Sequence, residues 1–174
     1  MLITPLCVDL IDAVADVMRF GEPYVTVRGP SDYLLYSRLF ASTCPVAIDD
    51  GAVIGAVIAM RSQDEPDDVH VQDVAIHPAH RRRGVAGALI SSVAMQARVW
   101  GCHRLWLTCA PGNTTAIATW QRLGFRNLPG SYTIDGIQVI ADCKGPGRCH
   151  PVFQLDLPAA GPVAQPGTAA GADT

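Results

Sequence analysis

A strand that runs into a basic, glycine-containing turn and then directly into a long helix is the feature that most constrains this chain. The segment from Val74 to Leu89 reads VAIHPAHRRRGVAGAL. Backbone N–H groups at the start of a helix have no partner inside the helix, so they form a site for an anion. Three consecutive arginines add positive charge, and the small residues after them let a phosphate approach the backbone. The segment therefore predicts a site for a phosphorylated ligand.

Two better-known phosphate loops do not fit this turn. A Walker loop requires Gly-x4-Gly-Lys-Ser/Thr, and a dinucleotide-binding turn requires Gly-x-Gly-x-x-Gly. Neither spacing occurs between the strand and the helix.

The pattern of apolar residues predicts a mixed α/β fold. The segments 69–77, 84–100 and 103–109 read as strand, helix and strand, so we expect a parallel strand pair with a right-handed crossover. Asp50-Gly51 lies between two apolar runs, 43–49 and 52–60, which is a strong signal for an antiparallel hairpin. Further helices are predicted at 6–20, 33–41 and 113–122, and further strands at 132–141 and 152–157.

Length and composition predict one domain over residues 1–157. The chain has 174 residues, of which 49% are hydrophobic and 17% charged, which is typical of a globular protein. Residues 158–174 consist almost entirely of Pro, Ala, Gly and other small residues, so we expect a disordered tail there.

The charge balance and the cysteines indicate which partners and compartments to expect. The formal net charge of −3 argues against a nucleic-acid partner, because phosphate backbones attract a surplus of Lys and Arg. No apolar run is long enough for a membrane span, and the amino terminus lacks the pattern of a secretory signal. We therefore predict a cytoplasmic protein whose six cysteines are reduced thiols. Cys143, Cys149 and His150 lack the paired spacing of a zinc site, so no metal is predicted.

Three motifs, in this order and spacing, resemble those of the GNAT acetyltransferase superfamily. Arg81-Arg-Arg-Gly-Val-Ala86 is similar to its Arg/Gln-x-x-Gly-x-Gly/Ala signature, and the preceding strand ends at Pro78 as in that family. Asn113 then opens a helix that closes on Leu-Gly-Phe125. The resemblance spans residues 43–125. It implies a mixed, mostly antiparallel sheet with a central parallel strand pair, flanked by helices, and acetyl-CoA as the donor.

The same resemblance implies which residues bind the donor. The backbone of Val74, Ala75 and Ile76 would pair with the pantetheine arm like an added strand. The pyrophosphate would lie on the turn formed by Arg81, Arg82, Arg83, Gly84, Val85, Ala86 and Gly87. The side chain of Asn113 would contact the cofactor, although Asn is also a common residue at a helix N-cap.

Transfer of acetyl to an amine needs a base, because an alkyl amine is protonated at neutral pH. Alternation along the strand predicts that His70, Gln72, Val74 and Ile76 share one face. His70 is the first candidate base, with Gln72 beside it at a position that relatives use for catalysis. Asp73, expected on the opposite face, is the second candidate.

The residue that protonates the leaving thiolate differs from the family pattern. Many relatives carry a tyrosine in the helix before Leu-Gly-Phe, but Trp120 stands there and has no acidic hydroxyl. Tyr132 is a candidate general acid, and the alternatives are protonation by water and departure of an unprotonated thiolate. Direct transfer needs no nucleophile on the enzyme, so Cys109 is interpreted as a core residue.

The amino-terminal half is also similar to the diaminobutyrate acetyltransferase family of ectoine synthesis. The similarity rests on Gly29–Tyr36, Phe40–Ala47 and Glu65–Asp68. The acidic residue that this family carries just ahead of its Pro-Tyr run is absent, since Thr26 and Val27 stand there. The resemblance implies a small amino-acid-like or diamine acceptor. Acidic residues near the expected acceptor side would favour a cationic substrate, or would simply form a solvated loop: Glu22, Asp32 and those between 64 and 68.

Two other function classes stay open. One is a GNAT-like module that binds an acyl-CoA without turnover, and the other is acetylation of an aminoglycoside or a protein amine by the same chemistry. A homodimer is also left open.

Overall fold

The computed structural model describes residues 1–158, so the predicted tail, apart from Pro158, lies outside the described residues. The strands are β1 (Leu2–Pro5), β2 (Pro45–Asp49), β3 (Ala52–Arg61), β4 (Asp68–Ile76), β5 (Arg104–Thr108), β6 (Arg126–Asn127), β7 (Tyr132–Ile134), β8 (Ile137–Val139) and β9 (Val152–Asp156). The α-helices are α1 (Ile11–Arg19), α2 (Pro30–Leu39), α3 (Val85–Val99) and α4 (Thr114–Arg122). Short 3₁₀ turns occupy Val8–Leu10, Ala41–Thr43 and Pro78–His80.

Seven strands form one sheet in the order β1-β2-β3-β4-β5-β9-β6. Every neighbouring pair is antiparallel except β4 and β5, which are parallel and are joined by α3. The predicted fold class, a mostly antiparallel sheet with a central parallel pair, is confirmed.

Helices cover both faces of the sheet and divide the core in two. Leu89 and Val93 of α3 are fully buried against Leu105 and Phe153 of the sheet. On the other face, α1 and α2 pack against β2 and β3, and the largest fully buried residues there are Tyr33, Leu6, Met18 and Ile58. The face of the sheet covered by α3 is called the α3 face, and the face covered by α1 and α2 is called the α1–α2 face.

The parallel pair separates part-way along its length. Asp68, Val69 and His70 pair with Arg104–Trp106, and no pairing between the two strands is present beyond these residues within the described chain. Past that point β4 stays paired with β3 and β5 with β9. A wedge therefore opens between the carboxyl-terminal halves of β4 and β5.

A β-bulge in β4 changes which side chains share a face. Ile58 of β3 pairs with Asp73, while the next residue, Ala59, pairs with Val71, so Gln72 is the extra residue. Val69 and Val71 pack on the α3 face before the bulge, and Val74 and Ile76 pack there after it. The predicted common face for His70, Val74 and Ile76 is therefore wrong: His70 and Asp73 share the α1–α2 face. A bulge inserts one residue, and each single-residue shift reverses the alternation of a strand.

Other differences lie at element ends and in short elements. The first helix begins at Ile11 rather than residue 6, and β1 precedes it. Helix α2 begins at Pro30 rather than residue 33, and its N-cap is Gly29. A proline costs no hydrogen bond at the first position of a helix. The Asp32 carboxylate accepts a hydrogen bond from the Gly29 N–H at 3.1 Å.

The segment predicted as one strand at 132–141 is instead a separate hairpin of β7 and β8, outside the main sheet. Its turn is Asp135-Gly136, both with positive φ, which is the turn chemistry that a tight hairpin needs.

Residues 1–158 contain no helix that is long and apolar enough to cross a membrane. Nor do three His, Cys, Asp or Glu side chains come together there as ligands for a metal ion.

We expect Gly55→Ala to destabilise the fold by about 1–3 kcal/mol, because this glycine lets β4 and the start of α3 approach β3. A Cβ at this position would lie 2.7 Å from Ile76 Cδ1, 3.2 Å from Val85 Cγ1 and 3.3 Å from the Ala75 carbonyl oxygen. Urea unfolding measures the change. The matched control is Gly112→Ala, whose Cβ would meet no atom within 4 Å; equal stability of the two variants would contradict the packing argument.

Candidate active site

The basic turn between β4 and α3 has the backbone geometry of an anion site. Arg82 and Gly84 both have positive φ, at 63° and 82°, and α3 begins at Val85. Such a curled turn directs successive N–H groups toward one point, next to the first N–H groups of the helix. Glycine at 84 is required by the left-handed conformation, since other residues are strained there. The side chains of Arg82 and Arg83 are exposed beside it.

Arg81 is used differently from its two neighbours. Its guanidinium donates to the Ile76 carbonyl oxygen at 3.2 Å and to the Phe20 carbonyl oxygen at 2.8 Å. It ties the end of β4 to the end of α1, which favours a structural role for this side chain and leaves Arg82 and Arg83 for an anion.

The other residues predicted to bind the acetyl donor lie along the wedge and at the start of the two helices that follow it. Val74, Ala75 and Ile76 lie on the half of β4 that β5 leaves unpaired. Val85, Ala86 and Gly87 form the first turn of α3, and Val85 is buried beneath it. Asn113 is the N-cap of α4, where its Oδ1 accepts a hydrogen bond from the Ala116 N–H at 3.1 Å. Asn113 therefore caps the helix through its side-chain oxygen, and its amide N–H₂ group remains available to a ligand.

His70 lies where the wedge starts, on the α1–α2 face. Its ring stacks on Trp106 of β5, with ring centroids 4.1 Å apart and an angle of 25°. Together with Met60 the two rings line a cleft of about 350 Å³, into which Glu65 and Asp68 also face. Burial, with a smaller contribution from the Lys144 ammonium, lowers the pKa of His70 to about 4. The imidazole is consequently neutral at pH 7.

Asp73 is a buried carboxylate on the same face, 9% exposed. Arg28, from the segment between α1 and α2, places Nη2 3.9 Å from Asp73 Oδ2. Burial raises the pKa of Asp73, while the charges of Arg28 and Lys144 act in the opposite direction. The buried Tyr33 hydroxyl accepts a long hydrogen bond, 3.5 Å, from the Arg28 backbone N–H. Asp73, Arg28 and Tyr33 thus form one polar cluster beside His70.

Sequence reasoning missed Arg28, Lys144 and Trp106. Lys144 is the sole lysine of the chain and belongs to the loop between β8 and β9, yet its charge acts on both His70 and Asp73. No motif marks these positions, because three separate segments bring them together. The one available signal is that Trp106 stands on a strand paired in parallel with the strand of His70.

The predicted residues Gln72 and Tyr132 occupy other surroundings. Gln72 is the half-buried extra residue of the bulge. Tyr132 lies on the β7–β8 hairpin with 42% of its surface exposed, and the nearby Cys149 thiol raises the pKa of its hydroxyl.

Trp120, at the position where relatives carry a tyrosine, is a buried residue that packs edge-on against Phe125, with ring centroids 5.7 Å apart. Burial raises the pKa of the neighbouring Cys109 thiol to about 11, although the nearby Trp120 acts in the opposite direction. Cys109 is therefore a neutral core thiol, in agreement with its interpretation from the sequence.

Comparison with known proteins gives the family of this fold and site. The family model described as "Acetyltransferase (GNAT) family" matches residues 13–125. The chain belongs to this family. It is 38% identical over 86 residues to an L-2,4-diaminobutyric acid acetyltransferase from Nocardia farcinica, covering 49% of this chain and 45% of that protein. A protein of the same name from Chromohalobacter salexigens is 30% identical over 105 residues, covering 60% of this chain and 55% of that protein.

The chain thus spans about half the length of the curated relatives it matches. Among solved structures, it is similar to a diaminobutyrate acetyltransferase from Paenibacillus lautus, in complex with L-2,4-diaminobutyric acid and coenzyme A. The TM-score is 0.70 at 20% identity, covering 90% of this chain and 94% of that one. Ard1 from Thermoplasma volcanium gives a TM-score of 0.70 at 16% identity, covering 90% and 97%. At these identities the two structures support the GNAT fold, and not a shared substrate.

The low pKa of His70 makes folding stability pH-dependent. The unfolded state binds a proton on this residue near pH 6.5, whereas the folded state does so only near pH 4. Stability from the neutral ring is therefore complete above pH 6.5 and is lost as the pH falls to 4. We expect wild type to lose about 1–3 kcal/mol more than His70→Gln over this window, measured by urea unfolding. Parallel losses in the two proteins would contradict burial of a neutral imidazole.

Proposed function

We propose that the protein is an acetyl-CoA-dependent N-acetyltransferase that transfers acetyl directly to a primary amine of a small amino-acid-like or diamine metabolite. The observation that carries this proposal is the wedge between β4 and β5. An anion-binding turn lies at the end of β4, and a titratable cluster of His70 and Asp73 lies on one face of the same strand.

The donor fits the wedge and the turn together. The pyrophosphate lies on the turn 82–87, where backbone N–H groups, Arg82 and Arg83 meet it. The pantetheine arm pairs with the backbone of Val74, Ala75 and Ile76, which β5 leaves without a partner. This arrangement carries the thioester toward the bulge in β4, and the acceptor is then reached from the α1–α2 face.

The reaction balances without a covalent enzyme intermediate. The neutral amine nitrogen attacks the thioester carbonyl carbon, and the C–S bond breaks as coenzyme A leaves as a thiolate. The attacking nitrogen gives up its proton to a base. The Val74 N–H, at the unpaired part of β4, is the proposed donor to the developing oxyanion.

Asp73 suits the role of base better than His70. The imidazolium that His70 would form is disfavoured by burial and by Lys144, which together lower its pKa to about 4. Burial instead raises the pKa of Asp73, and a less solvated carboxylate accepts a proton more readily. His70 and Trp106 then act as an apolar wall that positions the acceptor.

Water is the favoured source of the proton for the leaving thiolate. The Trp120 indole cannot supply one, and the pKa of the Tyr132 hydroxyl on the β7–β8 hairpin is raised above its usual value by the nearby Cys149 thiol. Tyr132 is the second candidate, to be tested as Tyr132→Phe.

The test is release of the coenzyme A thiol from acetyl-CoA across a panel of amino acids, diamines, an aminoglycoside and a peptide. Loss of a general base is worth about 10²–10⁴ in rate. We therefore expect Asp73→Asn to lower kcat by that factor with an unchanged KM for acetyl-CoA, and His70→Gln to lower it much less. The reverse ranking would assign the base to His70.

If acetyl-CoA binds tightly by calorimetry while no amine in the panel is acetylated, the proposed activity is wrong. The chain would then be an acyl-CoA-binding module, the alternative that the replacement at Trp120 suggests.

Replacing both Arg82 and Arg83 by alanine should raise the KM for acetyl-CoA about tenfold, because two charge-assisted contacts to phosphate are removed. S-acetylpantetheine lacks the pyrophosphate, so the double variant and wild type should use it equally well. Arg126→Ala is the control, since Arg126 pairs with Asp156 on the sheet at 3.0 Å. An unchanged KM for acetyl-CoA in the double variant would place the phosphates elsewhere.

A further inference from the structure

Arg28 and Asp73 are opposite charges that approach each other without completing a hydrogen bond. Their closest atoms are 3.9 Å apart, beyond the usual range of about 2.7–2.9 Å for a guanidinium–carboxylate contact. Within residues 1–158, no group accepts a hydrogen bond from the Arg28 side chain, and its Nε is buried without a partner. No described residue donates to the Asp73 carboxylate either. Both groups therefore keep hydrogen-bonding capacity that the fold does not use.

An ion pair that served only stability would have a different geometry. Burying two charges costs several kcal/mol each, and the cost is recovered only when the pair also satisfies its hydrogen bonds. Here the Arg28 side chain is 34% exposed and Asp73 is 9% exposed, so the pair is desolvated but still accessible from the Arg28 side. Unused donors beside unused acceptors are the arrangement that receives a ligand carrying both charges.

The balance of charge around the cluster points to an anionic group on that ligand. Lys144 is close enough to oppose protonation of both His70 and Asp73. The positive charges of Arg28, at 3.9 Å, and of Lys144 therefore both act on one carboxylate, Asp73. Of the two acidic residues that face the neighbouring His70–Trp106 cleft, Asp68 is already paired with Arg104 at 2.6 Å, and Glu65 is exposed.

We infer that Arg28 is a specificity residue that binds a carboxylate of the acceptor, and that the acceptor is a small amino acid rather than a diamine. The carboxylate lies on the guanidinium fork of Arg28, and the amino group next to it lies on Asp73. This inference rests on the proposed acetyltransferase activity and selects between the two acceptor classes left open there.

The fold places this acceptor at the reacting end of the wedge. Met60 and Ile58 alternate on β3 and pair with His70 and Asp73, respectively, so those two side chains lie on one face. Tyr33 closes the cluster from α2, where its hydroxyl contacts the backbone of Arg28 at 3.5 Å. A zwitterion held between Arg28 and Asp73 therefore lies beside the stacked rings of His70 and Trp106.

The experiment compares each α-amino acid of a panel, including L-2,4-diaminobutyrate, with its primary amide and with the matching decarboxylated amine. The variants are Arg28→Gln, Arg28→Lys and, as a surface control of equal charge change, Arg126→Gln. The measured quantity is the ratio of kcat/KM for an acid to that for its amide. The pKa of the amine differs between an acid and its amide, and this difference contributes to the ratio in every variant. The quantity of interest is therefore the change in the ratio from wild type to variant.

We expect wild type to prefer the acid and Arg28→Gln to lower that ratio about 10- to 100-fold, mainly through KM, because one charged hydrogen-bonding partner is lost. Loss of the Arg28 charge also acts on Asp73, but this effect is shared by acid and amide and cancels in the ratio. The ratio for Arg28→Lys should fall between those of wild type and Arg28→Gln. Arg126→Gln should match wild type. Equal loss for acid and amide in both Arg28 variants, or turnover of only the carboxylate-free amines, would overturn the inference.

Binding separates failure of this inference from failure of the proposed activity. Calorimetry of the panel into the protein–coenzyme A complex needs no turnover. Binding of an amino acid that Arg28→Gln abolishes, with no thiol release, would support the role of Arg28 and contradict the acetyltransferase activity. Absence of both binding and turnover for every carboxylate-bearing member would overturn the role of Arg28.

Discussion

The separation of β4 from β5 is the constraint on which the rest of the site depends. Parallel strands normally continue their ladder, because an unpaired backbone group that is buried costs about 1–3 kcal/mol. Here pairing ends at His70 and Trp106, and each strand keeps its other neighbour, β3 or β9. The sheet therefore stays intact while one strand edge becomes free inside the molecule. A ligand with its own amide groups can complete that edge, and the helix start of α3 lies at the end of the same strand.

The bulge in β4 decides which chemistry that edge can serve. If β4 alternated regularly through Gln72, Asp73 would face α3 and lie among apolar side chains, apart from His70. The insertion turns Asp73 toward Arg28 and Tyr33, and it turns Val74 and Ile76 into the α3 core. The single extra residue, Gln72, thus lets β4 direct Val74 and Ile76 into the α3 core while Asp73 lies on the charged α1–α2 face.

The sequence predicted the parts of the fold that depend on local patterns. The parallel pair and α3 follow from apolar spacing, and the anion turn follows from three arginines and Gly84 before a helix. The bulge could not be predicted, because it depends on how β3 and β4 pair and not on the residues of either strand alone. Arg28 and Lys144 could not be predicted for a related reason. They come from segments far apart in the chain, and each is an ordinary charged residue until the fold brings it to Asp73.

The cost of this cluster is itself an argument about its purpose. A buried ion pair is often no more stable than apolar residues of the same volume, and here the pair lacks the hydrogen bonds that would compensate its desolvation. His70 adds to the cost, since its imidazole is held neutral against a cation and an aromatic ring. Stability alone would favour filling this space with the valines and isoleucines that occupy the α3 face. Charges that are desolvated, oriented and incompletely paired are instead positioned in advance for a ligand, whose own charges complete the set when it binds.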